Sequence, residues 1–178
     1  EMNDSARVSQ KLPDYGRDAM LIPSQSGERS ALGFHGEGMR LVTREGAHYT
    51  TDGRYIEAAR ERITGAQVSL VTRSSGHLAQ ARAYIEENGL HNVGFESASL
   101  TVDAHRRYAQ ELPCILTPAQ PLLDSLRASK DEEELEVMRR AQKITDDTFQ
   151  ALLPVIRPGM TERQIAARLV FELLDRGG

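Results

Sequence analysis

Short apolar runs alternate with amphipathic stretches over the first two thirds of the chain. Ala19–Ile22 is a run of four apolar residues that ends at Pro23, and it predicts a buried strand. Arg40–Thr43 and Ala47–Thr51 are rich in β-prone residues and flank a short turn that contains Gly46. Two such runs around a glycine-containing turn predict a β-hairpin.

The rest of this part predicts helices and strands in alternation. Apolar residues at steps of three and four predict helices, and β-rich runs between them predict strands. The predicted helices are 54–62, 75–88 and 101–112, the predicted strands are 67–72, 93–96 and 114–117, and a polar loop is expected at 23–30. Strands separated by helices need crossover connections, so we expect a mixed α/β sheet with flanking helices.

The last third predicts two long helices and no strands. Ser129–Glu132 matches a capping box, with a serine at the N-cap and a carboxylate three residues later. The helix expected over 131–156 should kink or end early at Pro154. Its apolar stripe consists of Leu135, Met138, Ala141, Thr145, Phe149, Leu152 and Ile156.

A second capping box, Thr161–Gln164, opens the last predicted helix, which extends to residue 176. Its apolar face is wide and consists of Ile165, Ala166, Leu169, Val170, Leu173 and Leu174. Apolar faces of this length are stabilised by burial against a partner. The partner could be the preceding sheet, a second copy, or a domain outside this sequence, and we favour the last.

Composition limits the function without naming one. The 178 residues are 39% hydrophobic and 27% charged, with a formal net charge of −4, as in ordinary globular proteins. No apolar run approaches the ~20 residues of a membrane-spanning helix, and a mildly acidic chain without a basic stripe argues against nucleic acid. The lone Cys114 excludes an internal disulfide. None of the five histidines lies three or four residues from another, so no helix presents a histidine pair to a metal.

Four motifs carry a resemblance to a known family. Thr51-Asp-Gly-Arg-Tyr55 resembles the "tDGRY" signature of the creatinase/prolidase N-terminal domain, and Val93-Gly-Phe-Glu96 resembles its "iGfE" strand. Residues 126–132 with Met138-Arg-Arg-Ala141 resemble its linker and first catalytic-domain helix. Ile156-Arg-Pro-Gly-Met-Thr-Glu162 resembles the "i.pGmTE" turn before the second helix. All four occur in the family's order and spacing.

The resemblance implies a fold, an activity and cofactors. It implies a creatinase/prolidase-type α/β domain over residues 1–124, followed over 125–178 by a linker and the first two helices of a truncated pita-bread domain. Enzymes similar to this are Xaa-Pro dipeptidases and aminopeptidases, whose two divalent metal ions (Mn, Co or Zn) are held by two Asp, one His and two Glu. All five ligands would follow Gly178, so no catalytic or metal-binding residue is assigned here. This chain alone is expected to be inactive.

The same resemblance implies partners and a location. The partners are the missing C-terminal catalytic domain, a second subunit in a homodimer, and short proline-containing peptides, with no nucleic acid and no membrane. The expected location is the cytoplasm. The part present here would serve subunit assembly and shape the substrate cleft.

Five residues are candidates for the substrate cleft or a subunit contact. Asp52 and Arg54 lie in the recognisable turn, where a structural ion pair or an aspartate N-cap is the favoured interpretation over a subunit contact. Tyr55 is expected to be a packed residue rather than a ligand contact. Phe34 and His35 are candidates for a wall of a neighbouring active site, with an ordinary surface loop as the favoured interpretation. The stretch before them keeps Gly33-Phe34 of the family's "N..YLtGF" but departs from it at the Asn and Tyr positions.

Two other functions stay open. One is a non-catalytic peptide- or protein-binding module of the same fold. The other is a creatine amidinohydrolase-like enzyme, because a fold does not fix the substrate.

Overall fold

The computed structural model describes residues 4–23, 34 and 36–178. The chain folds into two compact units, Glu1–Ala128 and Ser129–Gly178. The boundary expected between residues 124 and 125 lies inside a helix, Gln120–Ala128, and the first unit continues to the end of that helix. The polar loop expected at 23–30 lies almost entirely outside the described residues.

Six strands and seven helices are present in the described part of the chain. The strands are β1 Ala19–Ile22, β2 Gly38–Thr43, β3 Ala47–Thr51, β4 Ala66–Leu70, β5 Asn92–Phe95 and β6 Ile115–Pro118. The helices are α1 Asp4–Lys11, α2 Ile56–Arg62, α3 His77–Glu87, α4 Val102–Glu111, α5 Gln120–Ala128, α6 Glu132–Leu152 and α7 Glu162–Asp175. Short 3₁₀ turns occupy Pro13–Tyr15 and Leu153–Val155.

The strands form one mixed sheet in the order β4-β3-β2-β1-β5-β6. β2 pairs antiparallel with β3, its partner in the hairpin, and with β1 on its other side. The pairs β3–β4, β1–β5 and β5–β6 are parallel. The expected mixed α/β sheet with flanking helices is therefore confirmed. Every strand and helix predicted before residue 118 is present, and no end shifts by more than two residues.

Two helices of the first unit had no prediction. α1 is polar along most of its length, but Val8 and the following Leu12 are buried. α5 contains Pro121 in its first turn, where a proline costs no hydrogen bond, and it buries Leu122 and Leu123. Each helix is fixed to the sheet by only two buried apolar residues. Two residues are too few to show a helical period in the sequence.

Alternation along β1 divides the core between the two faces of the sheet. Ala19 and Leu21 face one layer, which includes buried residues of α3 and α4. Met20 and Ile22 face the other layer, with buried residues of α1 and α5. All four side chains are fully buried, as expected for a strand covered by helices on both sides.

The second unit begins with a correction. Asp131, and not Ser129, is the N-cap of α6, because its carboxylate accepts a hydrogen bond from the Glu134 amide at 2.9 Å. The Glu134 side chain accepts one in return from the Asp131 amide at 3.0 Å. The cap needs a side chain that reaches the amide three residues on, and in this run of acids the aspartate meets that need two residues later than predicted.

The other predicted helix ends are confirmed. α6 ends at Leu152 and passes into a 3₁₀ turn that contains Pro154. Thr161 caps α7, since its hydroxyl accepts from the Gln164 amide and the Gln164 side chain accepts from the Thr161 amide.

The apolar stripe predicted for α6 is divided in the structure. α6 packs against α7. Outside the predicted stripe, the residues of α6 that are shielded from solvent are Ile144, Thr148 and Ala151. Of the predicted stripe, Leu152 is buried and Leu135 is half-buried. The remaining members are exposed: Met138, Ala141, Thr145, Phe149 and Ile156.

Candidate functional site

The turn between β3 and α2 holds an ion-pair cluster that we call the Arg54 cluster, made of Glu37, Asp52 and Arg54. The Asp52 carboxylate accepts a hydrogen bond from the Arg54 amide at 2.9 Å, which folds the chain back after the strand. The Arg54 guanidinium donates to Asp52 Oδ2 at 2.7 Å and to Glu37 Oε2 at 2.5 Å. Glu37 lies just before β2, so one arginine joins the entry of one strand to the exit of its neighbour.

The ion pair favoured by the sequence is therefore present, while Asp52 is not the helix N-cap. Tyr55 occupies the cap position and makes no side-chain capping bond. Hydrogen bonds from Arg54 lower the pKa of the Asp52 carboxyl and keep it ionised. The same carboxylates raise the pKa of Arg54. The Arg54 side chain is 62% exposed, so the cluster stands at the surface, where such pairs contribute little stability.

The side chains of Tyr55 and Phe34 pack against other residues of the first unit and do not extend into solvent. The Arg54 guanidinium lies over the Tyr55 ring at 5.2 Å from its centre, and Tyr55 is half-buried against the cluster of α2. Phe34 is only 3% exposed and meets Tyr49 edge to face, with ring centres 6.1 Å apart. Its ring belongs to the core between β3 and α2. His35 lies outside the described residues.

Two glycines beside Phe34 carry a constraint that sequence reasoning missed. A Cβ at Gly36 would come within 2.5 Å of the Phe34 ring. A Cβ at Gly38 would lie 2.4 Å from the Thr50 carbonyl oxygen and 2.6 Å from the Tyr49 ring. Only glycine allows β2 to approach β3 this closely.

Two polar side chains of β3, His48 and Thr50, lie on the face of the sheet opposite Tyr49, and each contacts another polar side chain. His48 Nε2 lies 2.9 Å from Ser69 Oγ, and its ring stacks on Tyr84 with centres 4.8 Å apart. His77 Nδ1 lies 2.7 Å from Thr50 Oγ1. Burial lowers the pKa of both histidines, so both rings are neutral at neutral pH.

Two of the motifs are joined by an ion pair between a buried carboxylate and a half-buried arginine. Glu96 ends the "iGfE"-like strand and is 1% exposed, and Arg127 of the linker motif donates to its Oε1 at 3.4 Å. The other carboxylate oxygen has no hydrogen-bond partner. The pair ties the end of β5 to the last turn of α5. Neither motif alone indicates this contact, because the residues are far apart in the chain.

No metal site is visible in the part of the chain that the structure describes. There, no three or more His, Cys, Asp or Glu side chains are grouped so that they could hold a metal ion. None of the described helices is long and apolar enough to cross a membrane.

Comparison with known proteins gives the family. The sequence profile of the Creatinase/Prolidase N-terminal domain matches residues 5–129, and the profile of Metallopeptidase family M24 matches residues 136–178. The chain thus belongs to the creatinase/prolidase family, and most of its second unit matches the M24 metallopeptidases. The resemblance inferred from the four motifs is confirmed.

Individual relatives agree with this assignment. The chain is 32% identical over 165 residues to YqhT, an uncharacterized peptidase of Bacillus subtilis, covering 91% of this chain and 46% of that protein. The fold matches an Xaa-Pro dipeptidase from Bacillus anthracis with a TM-score of 0.90 and 24% identity, covering 98% of this chain and 49% of that one. The crystallised N-terminal domain of the cytoplasmic peptidase PepQ from Mycobacterium tuberculosis matches with a TM-score of 0.60 and 28% identity, covering 69% of this chain and 97% of that domain.

The similarity covers most of this chain but only part of each larger relative. The chain spans about half the length of the curated relatives that it matches. Its two units correspond to the N-terminal portion of larger peptidases.

Proposed function

We propose that this chain is the N-terminal part of a proline-specific metallopeptidase that hydrolyses Xaa-Pro bonds in dipeptides or short peptides. The observation that carries the proposal is the order of the two family matches, an N-terminal domain at residues 5–129 followed by an M24 metallopeptidase match at residues 136–178. The metal ligands, and two divalent ions such as Mn, Co or Zn, belong in this proposal to a C-terminal catalytic domain. A metal pair activates water and polarises the scissile carbonyl.

In this proposal the 178 residues contribute position and shape. The metal ligands belong to the catalytic domain, so we expect the isolated chain to be inactive. The enzyme is a cytoplasmic homodimer, in keeping with the cytoplasmic PepQ named among the structural relatives.

The Arg54 cluster is our candidate for the contact with a second subunit or its substrate cleft. It is exposed and carries two carboxylates and one guanidinium. Salt bridges at a protein surface add little to folding, so a cluster with three charges in contact fits recognition better than stability. Phe34 supports this edge from within, as a buried anchor and not as an exposed wall.

The first experiment reads the coding sequence after Gly178 and assays the complete gene product. We expect an open frame with an Asp, Asp, His, Glu, Glu ligand set, and a product that cleaves Xaa-Pro dipeptides when Mn²⁺ is added. The 178-residue chain, assayed in parallel, should show no turnover. A frame that lacks the ligands would contradict the proposal and favour a binding module, and cleavage of creatine alone would favour an amidinohydrolase.

The second experiment tests the Arg54 cluster in that complete protein. Arg54→Ala should weaken dimerisation or raise KM for Xaa-Pro dipeptides, while Arg62→Ala, an exposed arginine on the neighbouring helix, should change neither. Sedimentation and steady-state kinetics give the two readouts. Unchanged assembly and unchanged KM in Arg54→Ala would remove the cluster from the proposal without touching the assigned activity.

A further inference from the structure

A groove on the surface of the first unit has the size and chemistry of a small-molecule site. We call it the His77 groove, because His77 lines it where α3 begins. Its volume is about 410 Å³, within the ~300–1,000 Å³ usual for such sites. Pro23, Met39 and Leu78 give it an apolar lining.

The groove lies at the edge of the sheet where open α/β proteins usually bind their ligands. Pro23 follows the carboxyl end of β1, and α3 follows the carboxyl end of β4. α2 packs on one face of the sheet, next to Tyr49, and α3 packs on the other, next to Leu21. Crevices at the carboxyl ends of strands, where successive connections change face, are the usual binding positions in open α/β sheets.

The polar lining offers both signs of charge. Arg107 and Glu111 are one helical turn apart on α4, with the nearest nitrogen and oxygen separated by 3.8 Å, which is too long for a hydrogen bond. Arg107 also lies over the Tyr108 ring, 5.7 Å from its centre. The side chains of Arg107 and Glu111 are 63% and 50% exposed, and an ion pair this exposed contributes so little that a ligand can displace it.

His77 adds a hydrogen-bond acceptor. The Thr50 hydroxyl donates to the Met39 carbonyl oxygen at 3.3 Å, so its oxygen accepts the proton of His77 Nδ1 at 2.7 Å. The neutral ring then carries its lone pair on Nε2. Burial, which lowers the pKa of His77, favours this neutral form.

We propose that the His77 groove binds a free α-amino acid with an apolar side chain. Its carboxylate pairs with Arg107, its ammonium group donates to Glu111 and to His77 Nε2, and its side chain packs on Met39 and Leu78. A zwitterion satisfies both exposed charges at once, which a simple anion or cation cannot do. Amino acids are also the products of Xaa-Pro hydrolysis, so the groove could sense the products of the reaction. This interpretation rests on the proposed function, whereas the class of ligand does not.

The test titrates the 178-residue chain with leucine, followed by calorimetry and by ¹H–¹⁵N NMR. We expect saturable binding, with shifts of the Met39, His77 and Tyr108 amides. Leucinamide lacks the carboxylate and N-acetyl-leucine lacks the ammonium group, and each should bind about tenfold or more weakly, since each loses charge-assisted hydrogen bonds. Because the chain needs no catalytic activity for this test, its failure leaves the proposed peptidase function standing.

Variants place the site. Arg107→Gln should weaken leucine about tenfold or more, and the matched control Arg106→Gln should not, because Arg106 pairs at 3.3 Å with Asp103 instead. The ligand series in the unmodified chain remains decisive if a variant folds poorly. The proposal is overturned if leucine shows no saturable binding, if Arg107→Gln binds it equally well, or if inorganic phosphate binds as tightly as leucine.

Discussion

Gly38 is a glycine because β2 passes very close to the backbone of β3 at this position. Replacing it with alanine places a methyl group 2.4 Å from the Thr50 carbonyl oxygen, and backbone atoms cannot yield as a flexible side chain can. We expect Gly38→Ala to lower the free energy of unfolding by about 1–3 kcal/mol, the usual cost of overpacking. Thermal and urea unfolding measure it.

Gly46 provides the matched control for that substitution. It lies in the hairpin turn, has no positive φ, and has nothing within 4 Å of a built Cβ. Gly46→Ala should therefore leave stability unchanged or slightly raised. If both variants unfold alike, the close approach of β2 and β3 is not what Gly38 provides.

His48 and His77 make the stability of the first unit depend on pH. Burial lowers the pKa of both below the 6.5 of an unperturbed histidine. The unfolded chain therefore takes up protons first as the pH falls, and the free energy of unfolding drops between about pH 7 and the two folded-state pKa values. Below those values this loss is complete.

Urea unfolding at a series of pH values from 7 to 5.5 tests this linkage. Ordinary carboxylates remain ionised over that range, so histidines dominate the slope. The double variant His48→Gln, His77→Asn should show a clearly smaller slope than the unmodified chain, whatever its absolute stability. An identical slope would mean that these two rings do not control the acid sensitivity.

Prediction at the residue scale succeeded for contacts close in sequence. The Asp52–Arg54 ion pair spans two residues, so the motif alone indicated it. Phe34 is different, because its burial against Tyr49 depends on how two separate segments meet. For the same reason, no local pattern revealed the Glu96–Arg127 pair or the groove beside His77.

At the scale of elements, hydrophobic period and capping chemistry predicted most of the fold. Strands such as β1 and helices such as α3 bury enough apolar residues in a regular pattern to be recognised. α1 and α5 do not, and tertiary burial of a few leucines and one valine decides their existence. In α6 the hydrophobic pattern predicted the helix but the capping motif gave the wrong N-cap. Several acidic residues follow one another here, and more than one of them could cap the helix.

The cap of α6 can be tested directly. Asp131→Ala removes the acceptor for the Glu134 amide and should destabilise the first turn by about 1 kcal/mol. Hydrogen exchange of the Glu134 amide should then accelerate about fivefold, as that free energy implies. Lys130→Ala, the exposed neighbour, should leave the exchange rate unchanged. Equal protection in Asp131→Ala and the unmodified chain would contradict the assigned cap.

At the scale of the whole molecule, the two units differ in how much apolar surface they cover. The sheet of the first unit has a helical layer on each face. In the second unit α6 and α7 cover each other only in part. Phe149, Phe171 and Leu174 are 54%, 55% and 66% exposed. Large apolar side chains exposed together mark surfaces that interact.

These faces predict dye binding or self-association of the 178-residue chain. We expect fluorescence enhancement of a hydrophobic dye, and its reduction by more than half in Phe149→Lys, Phe171→Lys, because each substitution places a charge in the exposed apolar surface. The control Gln150→Lys changes an exposed polar position of the same helix. A monomer that binds no dye would show that the faces are covered within the chain.

The sequence by itself determined the α/β class, most strands and helices, the Asp52–Arg54 turn and the family, because these depend on neighbours within one or two turns of chain. Tertiary structure alone decided the strand order, the burial of Phe34, the Glu96–Arg127 pair and the lining of the His77 groove. Each of these depends on segments that are not neighbours along the chain, and sheet register and packing on both faces of the sheet bring those segments together. Local periodicity carries no information about such contacts.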